Sequence, residues 1–367
     1  MTDRIELIQT KMTEKGLPLI AVPAGADLSY FSGLEFHVSE RPAILLIPAV
    51  GKPAFIYPDF ETTKVNSCRV PLEPFPYSED RESWVPVFTR ALQSLSADIH
   101  KIGVNSTQMR YLEMDLLRQA QAGLHFTASD ILFQSLRTRK DSSEVECIRK
   151  AIHIAEEAFR ETLPFIKPGR TEKEIAGELV INLLRLGSDA ELPFSPIVAA
   201  GPNSANPHAL PSDRKLVEGD LVVIDWGARF DHYISDITRT LSIGQPQEQF
   251  SNMAYVVKQA NEKARQTAKA GISCNLVDEA ARTVISEAGL GEYFTHRTGH
   301  GIGMEAHEAP YIASDYTHEL EVGNTFTIEP GVYLTGKGGV RIEDNILITT
   351  VGAETLTSLP RELTIIE

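Results

Sequence analysis

The chain has 367 residues, of which 42% are hydrophobic, 23% charged and 7% aromatic, enough apolar side chain to bury a sizeable core and to exclude intrinsic disorder. Asp and Glu total 50 against 35 Lys and Arg, a formal net charge of −15, which does not suit a surface that coats nucleic acid or anionic lipid. Three widely spaced cysteines (Cys68, Cys147, Cys274), no long apolar run and no signal-peptide core at the N-terminus point to a soluble, cytoplasmic protein without a disulfide framework.

Residues 1 to about 125 read as alternating helix and strand. Ile5, Leu7, Ile8 and Met12 give an opening amphipathic segment that Gly16 and Pro18 stop, and the apolar stretch Leu19 to Val22 follows. Strands are expected at Ala43 to Ile47 and Ala54 to Tyr57, joined by a turn-rich link, and a helix at Trp84 to Leu95. The boundary falls in the stretch Ala128 to Arg139, giving domains at 1–128 and 129–367. The basic run Arg137-Thr-Arg-Lys140 reads as a solvated linker. A long helix then begins near Ser143, where Ser143-Glu144-Val145-Glu146 has the form of a capping box, with Ile148, Ile152, Ala155 and Phe159 on one face.

The second part carries an internal duplication. Lys167-Pro168-Gly169 precedes a helix ending at Leu186-Gly187, and Lys269-Ala270-Gly271 precedes one ending at Ala288-Gly289, an offset of 102 residues. Downstream, Gly219-Asp220-Leu-Val-Val-Ile224-Asp225 parallels Gly323-Asn324-Thr-Phe-Thr-Ile328-Glu329 at an offset of 104. The repeat predicts two similar halves, each delivering an acidic residue from the end of a strand.

Each acid has a prospective partner. A hairpin centred between Phe230 and Asp231 places Asp225 opposite Asp236, and one centred on Gly336 places Glu329 opposite Glu343. Like charges opposed at about 5 Å repel, so either a nearby base (Arg239 or Arg341) or a shared cation must compensate them. The segment His296-Arg-Thr-Gly-His300-Gly-Ile-Gly-Met-Glu-Ala-His307 favours the cation, because its glycines allow close backbone approach and leave His300 able to reach a metal. His208 lies in a loop rich in Pro, Gly and Asn, where function often resides. Four carboxylates and one imidazole form a hard ligand set that favours Mn²⁺, Co²⁺ or Fe²⁺ over a thiolate-type zinc site, and bridging carboxylates suggest two ions about 3.5–4 Å apart.

The segments VVIDWGARFDHYISDITRT (222–240), HRTGHGIGMEAHE (296–308), TIEPGVY (327–333) and GGVRIED (338–344) resemble the pita-bread metallopeptidases, closest to Xaa-Pro dipeptidases (prolidases) and Xaa-Pro aminopeptidases. The resemblance covers essentially the whole chain. It implies an α/β creatinase-like N-terminal domain and an α+β pita-bread catalytic domain with a pseudo-two-fold duplication. Asp225 would bind one divalent metal ion, His300 and Glu329 the other, and Asp236 and Glu343 would bridge both. Mn²⁺ is the expected metal, with Co²⁺, Fe²⁺ or Zn²⁺ as substitutes. Glu329 would act as general base for a bridging hydroxide, His208 and His307 would contact the scissile carbonyl and its oxyanion, and Arg341 would bond near the ligands and help place substrate. His296 matches a position near the metal but outside its ligand set.

The implied reaction is hydrolysis of the Xaa-Pro bond in small peptides with proline second. The compact length favours dipeptidase over aminopeptidase P action on longer peptides. Arg341, His307 or Arg41 could capture the proline carboxylate, although Arg41 reads as a solvated loop arginine. The N-terminal domain counts against a methionine aminopeptidase, and the intact ligand set counts against metal-free creatinase and against a non-catalytic pita-bread binding module. The resemblance also implies a homodimer, with no nucleic-acid or membrane partner.

Overall fold

Apolar strands too short to stand alone pair into sheets, and the amphipathic helices between them cover those sheets. The computed structural model describes residues 4–68, 70–95 and 99–367. The chain divides into two compact units, Met1–Leu136 and Arg137–Glu367, a boundary inside the expected stretch 128–139 and eight residues beyond the 128/129 division. The helix Asp130–Arg137 explains the displacement: Phe133 packs edge-on against Phe31, and Tyr30 Oη donates to the Leu136 carbonyl at 3.2 Å.

The first unit holds one sheet of six strands: β1 (Leu19–Pro23), β2 (Ile44–Pro48), β3 (Ala54–Pro58), β4 (Glu73–Tyr77), β5 (Lys101–Val104) and β6 (His125–Ala128), in the order β4-β3-β2-β1-β5-β6. β1, β2 and β3 run antiparallel, while β4, β5 and β6 each join in parallel. The opening helix, Arg4–Glu14, buries Ile5, Ile8 and Met12, whereas Leu7 faces outward. The expected helix Trp84–Leu95 packs Trp84, Val87, Phe88, Ala91 and Leu92 into the core of this unit. Arg41 is a surface residue bonded to Glu79.

In the second unit the duplication is visible in the backbone. Helix Glu172–Arg185 corresponds to helix Cys274–Glu287 at the expected offset of 102. Gly169 and Gly271, Gly187 and Gly289, and Gly219 and Gly323 form three matched pairs, all six with positive φ. Such left-handed positions suit residues without a Cβ. Gly169 N–H donates to Leu216 O as Gly271 N–H donates to Leu320 O, and the isolated bridges Thr171–Lys215 and Ser273–Glu319 repeat the same closure.

The strands follow the same plan. β7 (Ile197–Ala200), β8 (Leu221–Trp226), the short β9 (Arg229–Phe230) and β10 (Tyr233–Ile234), and β11 (Ile237–Ile243) belong to the first half. The second half contributes β12 (Gly299–Gly301), β13 (Glu308–Ile312), β14 (Thr325–Ile328), β15 (Gly331–Leu334), β16 (Gly338–Arg341), β17 (Asp344–Thr349) and β18 (Gly352–Thr355); β19 (Thr364–Ile366) closes the chain. One sheet has the order β19-β11-β8-β7 and another β13-β12-β14-β17-β18, with β9/β10 and β15/β16 as two-stranded ribbons. Helices Glu248–Thr267 and Cys274–Glu287 cover the second half through Val257, Ala260, Val277 and Ala281.

Two sequence expectations are corrected here. The long helix runs Ser142–Thr162, and its N-cap is Asp141 rather than Ser143: the Asp141 carboxylate accepts from the Ser143 and Glu144 amides, and Glu144 accepts in return from the Asp141 amide at 2.7 Å. Nor is the Arg137–Lys140 run solvated. Arg137 and Lys140 are buried against carboxylates that lie more than 160 residues away in sequence, and Arg139 is the exposed member.

Trp226 ties the long helix to β8. Its indole N–H donates to Ala155 O at 2.9 Å, and its ring stacks on Phe159 with centroids 4.5 Å apart. Trp226 is fully buried, so Trp226→Ala is expected to cost about 3–5 kcal/mol of unfolding free energy, measured by urea denaturation.

Candidate metal centre and active site

The carboxylates converge at two ladder breaks: Asp236, Glu329 and Glu343 stand in them and Asp225 at the edge of one. Asp225 is the penultimate residue of β8, and Asp236 occupies the gap between β10 and β11. The hairpin centre differs from the sequence expectation by one residue. Asp231 and His232 have φ of 48° and 73°, as a two-residue type I′ turn requires, so Phe230 pairs with Tyr233 and Asp225 lies opposite Thr238 rather than Asp236. Moving the centre by one residue moves each partner by two, which keeps Asp236 on the Asp225 side of the strand alternation. The second pair is opposed as expected. β15/β16 and β14/β17 share one register, Gly331 opposite Arg341 and Ile328 opposite Asp344, and Glu329 and Glu343 face each other in the break between the two ladders.

His300 enters from β12. A Cβ on Gly299 would stand 1.9 Å from Thr327 O, and one on Gly301 would stand 2.2 Å from Ala309 O, so these positions exclude any side chain and let β12 lie tight against its neighbours. Asp236, His300 and Glu343 are buried and present ligand atoms within 4.8 Å of one another. His300 Nε2 stands 3.7 Å from Asp236 Oδ2 and 3.1 Å from Glu329 Oε1. Glu343 Oε2 accepts from Thr238 Oγ1 at 2.7 Å, and Asn345 fixes the Asp236 backbone, accepting from its amide at 3.2 Å and donating to its carbonyl.

Arg341 holds this group together. Its guanidinium donates to Asp225 Oδ2 at 2.6 Å, Thr238 Oγ1 at 3.1 Å, Tyr333 Oη at 3.0 Å and Pro207 O at 3.3 Å. With four of five N–H groups committed, Arg341 acts as a brace for the acids and has little left to offer a substrate carboxylate. It also answers one Asp225 oxygen, so the nearby-base alternative holds for that atom. Asp225 Oδ1, by contrast, is buried with no hydrogen-bond partner. Arg239 pairs with Asp344, together with Arg361, and reaches the cluster only at the Glu343 backbone carbonyl, at 2.6 Å.

The electrostatics are those of too much negative charge in too little water. Burial, followed by the charge of Glu343, Asp225 and Glu329, raises Asp236 well above the usual carboxylate range, and burial with the neighbouring acids does the same to Glu343. Burial also raises Asp225 against the pull of Arg341. Glu329 behaves oppositely: although burial opposes its charge, the His300 hydrogen bond and the His300, His296 and Arg341 charges hold it far below that range. An orphaned buried oxygen, two acids that cannot ionise comfortably together and an imidazole beside them fit a hard or borderline divalent cation, which converts their repulsion into coordination. Asp225, Asp236, His300, Glu329 and Glu343 are the residues that could hold it.

The remaining histidines surround this group. Because Arg341 donates to Tyr333 Oη, the phenol proton goes to His296 Nε2 at 2.9 Å, and His296 Nδ1–H therefore donates to Arg297 O at 2.7 Å. Burial lowers the His296 pKa, consistent with this neutral tautomer. His307 packs edge-on against His300 with ring centroids 4.3 Å apart and keeps its outer side exposed; burial of the inner side, then the His300 charge, lowers its pKa. His208 is exposed in the loop after β7, near enough for its charge to weigh on His307. Thr238, Thr327, Tyr333 and Asn345 were not singled out in the sequence. Tyr333 and the two threonines lie within the quoted motifs, but nothing in residue type alone marks a second layer of hydrogen bonds.

Comparison with known proteins agrees with this geometry. Residues 146–350 match metallopeptidase family M24, and residues 4–139 match the creatinase/prolidase N-terminal domain. An Xaa-Pro dipeptidase of Pyrococcus horikoshii is 33% identical over 99% of both chains. Among solved structures, a prolidase from Thermococcus sibiricus is 33% identical with a TM-score of 0.94, covering 99% of this chain and 98% of its own. An X-Pro aminopeptidase from Thermotoga maritima is 34% identical with a TM-score of 0.88, covering both chains fully. The expected creatinase-like and pita-bread domains are therefore both present, and the chain belongs to metallopeptidase family M24, whose chemistry depends on divalent metal ions.

Proposed function

We propose that this protein hydrolyses the Xaa-Pro bond of dipeptides, with Asp225, Asp236, His300, Glu329 and Glu343 holding two divalent ions. The observation that carries the reading is the buried group Asp236, His300 and Glu343, whose ligand atoms lie within 4.8 Å of one another, with Glu329 beside His300 and Asp225 Oδ1 left without a hydrogen-bond partner. When bound, the ions supply Lewis-acid polarisation of the carbonyl and activation of water. Four carboxylates make the donor set hard, which favours Mn²⁺; Co²⁺, Fe²⁺ and Zn²⁺ are the competing ions.

The chain's own residues supply the rest. Thr327 Oγ1 donates to Glu329 Oε1 at 3.2 Å and orients the carboxylate that would take a proton from water. The same carboxyl can pass that proton to the prolyl nitrogen, which must leave as an amine. His307 and His208 provide N–H donors for the carbonyl oxygen as it gains charge. Arg341 keeps Asp225 oriented. Proline suits such a site because its nitrogen carries no hydrogen and its ring restricts the preceding residue, so recognition cannot depend on an N–H donor there. Three free cysteines support a reducing, cytoplasmic setting, and the family resemblance supports a homodimer.

Likeness to an X-Pro aminopeptidase at 34% identity gives the second reading, aminopeptidase P action. Mn²⁺-loaded protein incubated with Ala-Pro and Ala-Pro-Ala separates the two. Release of alanine from the dipeptide alone is expected; release mainly from the tripeptide means aminopeptidase P, and release from neither removes both. A second expectation concerns His208→Ala, which should keep its metal and lose about 10²-fold in kcat, by analogy with removal of one oxyanion donor. Metal analysis beside steady-state kinetics checks this, and loss of metal would make His208 a ligand.

A further inference from the structure

We propose that Arg137 is a positioning residue for His307, fixing the imidazole against His300 by gripping the chain on both sides of it. The proposal rests on the reading that His307 acts on the substrate carbonyl.

The segment Gly303-Met-Glu-Ala-His307-Glu308 has little regular structure of its own: His307 precedes β13, and the β12/β13 register shifts between His300 and Gly301. Arg137 reaches this segment twice. Its Nη1 pairs with Glu305 Oε2 at 2.8 Å, and its Nη2 pairs with Glu308 Oε2 at 2.5 Å. One planar guanidinium thus spans the residues two before and one after His307. Lys140 Nζ holds the other Glu308 oxygen at 2.5 Å. This pair lies over the bare Cα of Gly303, where a Cβ would meet Glu308 Oε1 at 2.5 Å and Lys140 Cε at 2.9 Å. Ile234 N–H donates to Gly303 O at 2.9 Å, which fixes the start of the segment.

Arg137 has a firm base from which to do this. Lys140 N–H donates to Gly323 O at 2.8 Å, Asn324 Nδ2 donates to Thr138 O at 3.0 Å, and Arg139 bridges Asn324. The strap is therefore fastened to the chain that leads into β14 and Glu329. Arg137, Lys140 and Glu308 are all buried. Burial opposes the Glu308 charge, but Lys140 and then Arg137 outweigh it and keep the carboxylate ionised. Apolar residues of similar size commonly give equal or greater stability than a buried ionic network. What such residues could not reproduce is the forked, two-carboxylate grip that sets the azimuth of His307.

A double-mutant cycle tests this on the metal-loaded full chain: Arg137→Gln, His307→Ala and the double variant, with kcat and KM for Ala-Pro, metal content and melting temperature. Arg137→Gln should lower kcat about tenfold, within the range that a small misplacement of a catalytic group costs, with KM and metal content unchanged. In the His307→Ala background the same substitution should cost nothing further. An equal tenfold loss in that background, or full kcat in Arg137→Gln, overturns the proposal. Full kcat in His307→Ala overturns the reading of His307 and the proposal with it. If Arg137→Gln does not fold, Glu305→Gln carries the test. It removes the half-exposed arm of the grip and should lower kcat severalfold in the His307 background only; unchanged or additive kinetics overturn the proposal.

Discussion

Four carboxylates, Asp225, Asp236, Glu329 and Glu343, crowd close enough to repel one another, two of them buried, and the hydrogen bonds around them answer that constraint. Asp236 and Glu343 are buried, and burial, followed by the charge of the neighbouring acids, drives each toward its protonated form. A fold does not gather such groups for stability, since like charges in a low-dielectric site oppose one another. Arg341 alone cannot neutralise four acids, and it leaves Asp225 Oδ1 without a partner. A divalent cation among them would remove the conflict, in keeping with the chain's membership of metallopeptidase family M24.

The duplicated backbone is what brings the acids together. Each half runs glycine, helix, glycine, strand, with matched left-handed glycines closing the same turns. Each half then breaks its hairpin ladder beside the acids: Asp236 stands in one break, Glu329 and Glu343 in the other, and Asp225 is paired one residue before the first. In the second half the break leaves the register intact and Glu329 opposite Glu343; in the first, a turn at Asp231 and His232 sets Asp225 and Asp236 diagonally. The site is thus quasi-symmetric in backbone and asymmetric in chemistry. Only the second half supplies an imidazole set between the acids, His300, and the Glu329 whose charge it favours.

Much of this was legible in the sequence. The two-unit organisation, the duplication and the Glu329/Glu343 opposition all follow from patterns that repeat at fixed spacing. What failed were local details with several neighbouring solutions. The hairpin at 231–232 required two non-glycine residues with positive φ, which composition does not announce, so its centre was one residue off. Asp141 caps the long helix although Ser143 offered a competing box. The larger omission was Arg137 and Lys140. A short basic run beside a domain boundary resembles a solvated linker, and its partners Glu305 and Glu308 lie too far along the chain for any spacing rule to join them. Arg341 was recognised as important, but its role as a brace became visible only when its four acceptors were placed.

The most direct measurement is metal content after equilibrium dialysis against Mn²⁺, for the wild-type chain and for Asp236→Ala and Glu343→Ala. Both substituted acids stand where two ions would share a ligand, so the account predicts about two ions per wild-type chain, the number set by paired-ion chemistry, and a marked loss in each variant. Unchanged metal content in either variant, or a wild-type chain that binds no divalent ion, would contradict it.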